Sequence, residues 1–483
     1  MTNFIYAARR RRRLAPAFGA FALTIVGATT SLSQCTLDGA GNPCVLTGPV
    51  TVSTSYIGPM GTTSTASGVI TNNGVIQING GSGNNTLLNL SANTTLQGSS
   101  GVLTLNSGDN NGKAILQSSG GFTLTNATDT IQGYGIIGNS GLSVINNVGG
   151  TLLANVSGQT LLINGTGSLT NNGVLQANAG ATLGVSANLT NLTISGGIDL
   201  AGGTYVMNNG TIQLSTLGTG GGEISANQAT IILNGPNAQL TDAGGSGALA
   251  DFVTNYGGSL IVEGGNNFSV TPYQNFNNYG LLVVGVGSNF IMHGPFAQDE
   301  GGSTQVDGNL SSTQFTMDVN TLLTGTGVVN TFVSNLDSTV TPGDNGTPGT
   351  LTVSGYSQPY SYAAAPLAAL DILIGSAASG QLDVTGSVTL NNTLVVSSYG
   401  GFSPTSGQAF DILNYGGTLS GSFTRLNVSG LNLAPGLTAS VDYSHSGEVL
   451  LDINGGAPEP STAAMLVGAL GAMLFLAKRQ VRR

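Results

Sequence analysis

A short unit recurs along the chain and limits what the chain can fold into. Each copy places Asn-Asn-Gly, or a close variant, before aliphatic or β-branched residues; clear copies begin at Asn72, Asn171 and Asn208, and a blurred one begins at Asn277. Asn and Gly tolerate a positive φ and so permit a sharp corner, and the aliphatic run suits a pleated strand. Strands of about four to six residues, turns about every eight to twelve and no helical period predict an all-β chain.

Two all-β architectures compete for this pattern, the sandwich and the solenoid. A single sandwich of about 300 residues would be oversized. Self-similar short strands with Asn and Gly at the corners favour a right-handed parallel β-helix, or β-solenoid, whose stacked coils bury their aliphatic residues. At roughly 20 to 25 residues per coil and about 4.8 Å per coil, Gly48 to Val340 predicts on the order of a dozen coils in a rod of roughly 60 Å. We expect corner asparagines to hydrogen-bond in ladders along the stack.

The body of the chain, residues 35–457, carries almost no basic side chains. Lys113 and Arg425 are its two cations, against 20 of the chain's 21 acidic residues, so its net charge is about −18. Charged residues make up 7% of the chain, far below the usual quarter or so. The negative charge argues against nucleic acid and anionic lipid surfaces as partners. Leu, Ile and Val are plentiful enough to build a core.

The N-terminal residues have the pattern of a secretory signal peptide, which we assign to residues 1–34. A basic block precedes the apolar stretch from Leu14 to Ala28, and the block consists of Arg9, Arg10, Arg11, Arg12 and Arg13. Cleavage is expected after Ala28 or Ser33, with an uncleaved anchor as the alternative. Cys35 and Cys44 lie just beyond; in an oxidising periplasm they would close a small loop, or else remain free thiols.

The last residues form a tail in three parts. Pro458, Glu459 and Pro460 precede an uncharged apolar run over residues 461–477. The chain then ends in a basic cluster of Lys478, Arg479, Arg482 and Arg483. As a helix, the apolar run is just long enough to cross a bilayer core of about 30 Å. The basic cluster is expected to hold its end in the cytoplasm, which places everything upstream on the other side.

This tail resembles the PEP-CTERM sorting signal of Gram-negative bacteria, a type also catalogued as an "ice-binding protein C-terminal" domain. The resemblance implies that an exosortase recognises Pro458, Glu459 and Pro460 and processes the tail, residues 456–483, in cells that make exopolysaccharide. Before processing, the C-terminal helix would anchor the precursor in the inner membrane, facing the periplasm.

Two other stretches resemble autotransporter-type adhesin passengers. Asp129 to Asn139 and Leu152 to Leu161 look like their repeats, and Thr341 to Gln358 looks like the start of their passenger-associated C-terminal region. The resemblance implies that residues 35–340 are β-helix repeats and that residues 341–455 finish the helix with a few more coils and a C-terminal β cap. Such a cap would cover strand edges that are otherwise unpaired. No outer-membrane barrel follows, so transport through the protein's own pore is not expected.

Acidic residues raise the possibility of an enzyme. A glycosidase needs two carboxylates across a cleft, and Asp299 and Glu300 with Asp307 are candidates, with His293 nearby. We interpret Asp299 and Glu300 as part of a solvated turn and His293 as a surface side chain. A lyase also needs a cation for the uronate carboxylate, and the body has few.

Three further patterns are weaker. His445 and Glu448 stand three apart in a stretch that we interpret as a turn. Gly80 to Leu87 nearly matches a calcium-binding nonapeptide, but Asn85 takes the aspartate position, so we interpret it as a turn and expect no metal or cofactor. Ice binding would need regular rows of threonine on one flat face, and the threonines here keep no strict register in sequence.

Together these patterns predict a non-enzymatic, exported, structural or adhesive protein of the cell surface or extracellular matrix. Its expected partners are the Sec translocon, the exosortase and exopolysaccharide, since hydroxyl and amide side chains suit carbohydrate hydroxyls. A polysaccharide-degrading β-helix enzyme is the alternative, followed by an ice-binding or mineral-binding protein.

Overall fold

The computed structural model describes residues 45–455, with short gaps at 59, 82, 109–111, 195–196, 219–222, 271–273, 345 and 360–367. Within these residues the chain is all-β, as predicted, with 46 strands and one 3₁₀ turn, Ser215–Leu217. No helix in this part of the chain is long and apolar enough to cross a membrane. The predicted signal helix, Cys35, Cys44 and the predicted sorting tail with its helix lie outside the described residues and stay predictions.

Short strands follow one another through the first half of the chain. They are β1 (Val45–Thr47), β2 (Val50–Val52), β3 (Ser55–Gly58), β4 (Thr63–Asn72), β5 (Val75–Asn79), β6 (Thr86–Gln97), β7 (Val102–Asn106), β8 (Ala114–Gln117), β9 (Thr123–Asn126), β10 (Thr130–Gly138), β11 (Ser143–Asn146), β12 (Thr151–Ala154), β13 (Thr160–Ile163), β14 (Ser168–Asn171), β15 (Val174–Ala177), β16 (Thr182–Val185), β17 (Asn188–Leu189), β18 (Leu192–Ile194), β19 (Ile198–Asn208), β20 (Thr211–Leu214), β21 (Ile224–Asn234), β22 (Gln239–Asp242) and β23 (Thr254–Asn255).

The second half continues in the same way. Its strands are β24 (Ser259–Glu263), β25 (Asn267–Val270), β26 (Phe276–Asn278), β27 (Leu281–Val284), β28 (Asn289–Met292), β29 (Phe296–Gln298), β30 (Ser303–Val306), β31 (Asn309–Ser311), β32 (Phe315–Met317), β33 (Leu322–Gly325), β34 (Val328–Asn335), β35 (Thr339–Asp344), β36 (Thr347–Pro348), β37 (Thr350–Ser357), β38 (Ala369–Ile374), β39 (Gln381–Val384), β40 (Val388–Leu390), β41 (Thr393–Ser398), β42 (Ala409–Tyr415), β43 (Leu419–Gly421), β44 (Arg425–Gly430), β45 (Leu437–Asp442) and β46 (Glu448–Gly455).

One unbroken parallel ladder shows how the coils stack. The strands β3, β5, β7, β10, β12, β15, β19, β21, β24, β27, β30, β33, β35, β38, β41 and β44 pair in that order. We call this ladder the long face. Residues in register on it are between 17 and 33 positions apart, so the chain returns to the same face once per coil. Thirteen of its 16 strands begin between Ser55 and Thr339, which confirms the predicted coil number. A parallel-dominated sheet of this length is consistent with a β-solenoid.

Two shorter faces complete the coils over most of the body. The amide face contains β9, β11, β14 and β17, and later β23, β26, β29, β32 and the end of β34. The side face contains the end of β10, then β13, β16, β20 and β22, and later β25, β28, β31 and the start of β34. Strand β22 pairs with β20 and β25 pairs with β28, but no pairing joins β22 to β25 in the described chain. The side face is therefore interrupted there.

The interior is filled by every second residue of most strands, as their alternating burial shows. Leu, Ile and Val supply most of this core, as the composition predicts. In the middle coils, aromatic residues form a column of their own: Phe276, Phe296 and Phe315 lie in register. Their ring centroids are 5.4 and 4.4 Å apart along the stack, so the rings pack directly on one another.

The predicted asparagine ladders are present and fully buried. Asn126 donates from Nδ2 to Oδ1 of Asn146, which donates to Asn171, both at 2.9 Å. A second ladder runs from Asn227 to Asn255 at 3.0 Å and on to Asn278 at 2.9 Å. In-register parallel stacking places each amide about 4.8 Å above the next, within reach of one hydrogen bond.

The glycines of the recurring corners are needed for a reason other than the one predicted. None of the four has φ in the left-handed region, although Asn209, in one of these corners, has φ 54°. The cause is close approach of the preceding coil: a Cβ on Gly74 would lie 1.8 Å from the carbonyl oxygen of Thr54, and one on Gly280 would lie 2.2 Å from that of Gly258. The same contact limits Gly173 and Gly210.

The last strands change direction. Strand β46 pairs antiparallel with both β42 and β45, whereas the long face continues in parallel as far as β44. The predicted boundary between residues 340 and 341 falls inside β35. Residues 341–455 therefore contribute further parallel strands and then an antiparallel sheet.

Candidate functional site

A column of side chains points outwards at the corner that follows the amide face. There the parallel hydrogen bonding continues one residue past the strands: Tyr279 N–H donates to the carbonyl of Asn255 at 2.9 Å. The N–H groups of Asp299 and Asp318 make the equivalent bonds to the coil before them, at 3.0 and 2.8 Å. Tyr256, Tyr279, Asp299 and Asp318 therefore stand one above the next on four successive coils. We call this column the ridge.

The two tyrosines of the ridge are exposed and in contact. Their ring centroids are 5.7 Å apart with an interplanar angle of 61°. Tyr256 is 59% exposed and Tyr279 is 39% exposed, although residues of this size usually bury their rings. An exposed aromatic pair held by a rigid backbone offers a ligand a large apolar surface with little conformational entropy to lose.

The two aspartates extend the ridge with negative charge. The hydroxyl of Tyr279 lies beside the carboxyl group of Asp299. Burial raises the pKa of Asp299, the neighbouring Tyr279 hydroxyl opposes that shift, and the charge of Asp318 adds to it. Burial, followed by the charge of Asp299, also raises the pKa of Tyr279. Oδ2 of Asp299 is buried and receives no hydrogen bond from the described residues. The ridge thus joins apolar ring surface to carboxylate acceptors.

The structure separates the carboxylates that the sequence suggested as a catalytic group. Asp299 and Glu300 lie in the turn between β29 and β30, as interpreted, and His293 is exposed. Asp307 follows the other end of β30, whose four residues span about 13 Å. The neighbour of Asp299 is instead Asp318, which the sequence analysis did not single out.

The other two patterns lie in connections between strands. His445 lies between β45 and β46, and its Nδ1 is 3.2 Å from Oδ2 of Asp442 rather than paired with Glu448. Gly80 to Asn85 connects β5 to β6. In the described ranges no group of three or more His, Cys, Asp or Glu side chains is placed to hold a metal ion.

Hydroxyl side chains on the amide face lie in better register than expected. Strand pairing aligns Thr123, Ser143 and Ser168 in one outward column, and Thr125, Thr170 and Thr190 share the next one with Ile145. Thr170 and Thr190 bring their hydroxyl oxygens within 2.8 Å of each other. Threonines therefore align over part of this face, in a column that Ile145 interrupts, and an ice-binding or mineral-binding role stays a prediction.

Sequence reasoning missed both ridge tyrosines, although a signal was present. Each one directly follows an asparagine of the buried ladder, as Asn255-Tyr256 and Asn278-Tyr279. A residue next to a ladder amide points outwards at the corner, so every such position contributes to one surface column. No protein-family model and no curated protein matches the chain.

Proposed function

We propose that the protein is an exported structural or adhesive protein of the cell surface or extracellular matrix that binds exopolysaccharide along the ridge. The observation that carries the proposal is the exposed pair Tyr256 and Tyr279 beside Asp299 and Asp318. A pyranose ring has an apolar C–H face and a hydroxyl edge. Tyrosine rings cover such a face, and carboxylates accept charge-assisted hydrogen bonds from such hydroxyls.

The negative charge of the body limits which polysaccharides the protein can bind. With about −18 on residues 35–457, the body repels polyanions. We therefore propose a neutral glycan chain as the ligand. Four coils of ridge extend over about 14 Å, enough for a few sugar rings. Contacts of this kind are individually weak, and repeated display on a rigid body makes them effective together.

The proposed architecture suits a protein that presents binding surfaces on a rigid body. We propose a right-handed parallel β-helix whose C-terminal end is capped by β42, β45 and β46. The antiparallel pairing of β46 with its two neighbours supports a cap, because it ends the parallel stacking and reduces open strand edge.

The proposed route to the surface rests on the two ends of the sequence. The signal segment with Arg9 to Arg13 would direct export through the Sec translocon, and an exosortase would process the tail at Pro458, Glu459 and Pro460. Mass spectrometry of the C-terminus in outer-surface and medium fractions tests this. A terminus near these residues, lost when the exosortase is deleted, is the expected result. An intact Arg483 found only in the inner membrane would refute release.

The ridge itself is tested by polysaccharide co-sedimentation with the mature exported protein. We expect the double variant Tyr256→Ala/Tyr279→Ala to bind the host's own exopolysaccharide about tenfold more weakly, because exposed aromatic anchors dominate such contacts. Tyr399→Ala is the matched control, since Tyr399 is 40% exposed and lies far along the stack. Unchanged binding by the double variant would refute the proposal.

A polysaccharide-degrading enzyme is the second candidate, favoured by one observation. Asp299 and Asp318 are neighbours on the ridge, and the pKa of Asp299 is raised by burial while Asp318 is exposed. Two carboxylates in different environments are the usual acid and base of glycoside hydrolysis. The test is whether the wild-type protein generates new reducing ends in the host polysaccharide while Asp299→Asn does not. That result would identify an enzyme and refute a purely adhesive role.

A further inference from the structure

The interruption of the side face opens a cleft between two consecutive coils. Strands β22 and β25 occupy equivalent places on these coils, yet each pairs only with its other neighbour. The connection after β22 folds back instead: Ala248 N–H donates to the carbonyl of Leu240 at 2.9 Å, and Gly247 bridges antiparallel to Thr241. A cavity of about 320 Å³ remains between the coils.

The coils separate only along this face. At the adjoining corner, Nδ2 of Asn266 donates to the carbonyl oxygens of Gly235 at 2.8 Å and Ala238 at 3.1 Å. On the long face, β21 and β24 pair over five residues. The cleft is therefore held open by a rigid frame, because two neighbouring parts of the same coils are fixed.

The lining of the cleft is amphipathic and uncharged. Its apolar part includes Leu240, Leu249 and Phe268, and its polar part includes Gln239 and Ser269. Phe268 is half-buried, and its ring centroid is 5.5 Å from that of Phe290 in the next coil. None of the described residues that line the cleft carries a charge. A ligand that fits must combine an apolar surface with neutral hydrogen-bonding groups.

Thr241 indicates that such a ligand supplies hydrogen bonds. It lines the cleft and is only 3% exposed, and its hydroxyl has no hydrogen-bond partner among the described residues. Buried hydroxyls are almost always bonded, because leaving one unpaired forfeits its hydration with no replacement. Thr241 is part of the cleft wall, between the inward-facing Leu240 and the folded-back connection, and its hydroxyl oxygen is closed to solvent.

The backbone of β25 adds further donors and acceptors. In a parallel sheet, the backbone N–H and C=O groups of successive residues point in turn towards the strand on one side and the strand on the other. Asn289 N–H donates to the carbonyl of Asn266 at 2.9 Å, so Asn266 and Phe268 bond towards β28. The N–H and C=O groups of Asn267 and Ser269 consequently face the cleft. These two residues form too short an edge for a peptide to add to it as a strand. On the opposite side of the cleft, the carbonyl of Leu240 already accepts a hydrogen bond from Ala248 N–H.

We propose that this cleft binds a single pyranose ring of a neutral glycan. The choice of glycan rests on the proposed function, although the cleft and the ridge are separate sites on different faces. The volume is at the lower end of ligand pockets, which suits one ring rather than a chain. The ring's apolar face packs on Phe268, its hydroxyls bond to the free edge at Ser269, and a rotation of the Thr241 side chain brings its hydroxyl to the ligand.

The test is saturation-transfer NMR titration of the mature exported protein with the methyl glycosides of glucose, galactose, mannose and N-acetylglucosamine. Ser269→Phe fills the cleft from an exposed position. Ser311→Phe is its matched control, because Ser311 occupies the same column two coils further on. Thr241→Val removes the unpaired hydroxyl at nearly constant shape.

We expect the wild-type protein to bind at least one of these glycosides. Thr241→Val should weaken binding about fivefold, Ser269→Phe should abolish it, and Ser311→Phe should leave it unchanged. The proposal is overturned if no glycoside binds the wild type, or if Ser269→Phe binds normally with wild-type circular dichroism and melting temperature. The ridge variant Tyr256→Ala/Tyr279→Ala keeps glycoside binding, so failure of the ridge and failure of the cleft give different results.

Discussion

Replacing one amide of the buried ladder should loosen the stack at that coil. Asn255 is fully buried and makes three hydrogen bonds through its side chain. Its Oδ1 accepts from Asn227 at 3.0 Å, and its Nδ2 donates to Oδ1 of Asn278 at 2.9 Å and to the carbonyl of Leu281 at 3.1 Å. Asn255→Ala removes all three bonds at once.

The cost follows from these contacts. At about 1 kcal/mol net per hydrogen bond, Asn255→Ala should destabilise the junction between the coils by about 3 kcal/mol. Asn227 keeps a bond to the carbonyl of Ala229 at 3.0 Å, so its amide is not left unpaired. The carbonyl of Leu281 loses the bond from Asn255. Because solenoid stability is a sum over neighbouring coils, the loss should remain local.

Hydrogen exchange followed by mass spectrometry measures this local loss. Peptides from residues 227–281 should exchange on the order of a hundredfold faster in Asn255→Ala, whereas peptides from residues 388–428 should not change. Asn277→Ala is the matched control, because Asn277 faces outwards, half-buried, on the same ladder of strands, and should shift stability by less than about 0.5 kcal/mol. Exchange within threefold of wild type around Asn255 would refute the reasoning, as would an even increase over the whole body.

Three more predictions test the core, the corners and one buried charge. Burial raises the pKa of the fully buried Asp129 more than its bond from Asn72 lowers it; the folded state therefore binds the proton more tightly, and stability falls as pH rises above the ordinary aspartate pKa. Asp129→Asn should thus raise the urea midpoint at pH 7 but not at pH 3, and an equal gain at both would contradict this. Phe296→Ala should cost about 3–5 kcal/mol in the same urea assay, and Phe296→Leu less than half of that. Gly280→Ala should lower the melting temperature sharply because its Cβ would meet a carbonyl oxygen at 2.2 Å, whereas Gly247→Ala, with nothing within 4 Å, should not.

The features that could be predicted are those that local sequence determines. A corner asparagine followed by an aliphatic run marks both a turn and a strand, and stacking copies of it requires an amide ladder such as Asn126, Asn146 and Asn171. The coil number followed from the length of the repeating region. The role of the glycines was misjudged because close approach involves the preceding coil, which lies 20 or more residues away, as Thr54 does from Gly74.

The ridge and the cleft depend on register between coils, which the sequence does not display. Coils differ in length, so no fixed period aligns Tyr256 with Tyr279 and then with Asp299 and Asp318. Their alignment follows only from the position of each residue directly after the last residue of an amide-face strand. The cleft arises because the connection between β22 and β23, residues 243–253, bonds back onto its own strand instead of the next coil.

The buried ladder should also control what the ridge can bind. Asn255 and Asn278 directly precede Tyr256 and Tyr279, so the hydrogen bond between the two amides fixes the spacing of the two rings. A ligand chain that meets rings already in place loses less entropy on binding than one that must order them. Asn255→Ala leaves both tyrosines intact, yet we expect it to weaken co-sedimentation with exopolysaccharide severalfold while Asn277→Ala does not. Wild-type binding by a variant whose coils exchange a hundredfold faster would show that the rings act independently, and that rigidity of the stack contributes nothing to recognition.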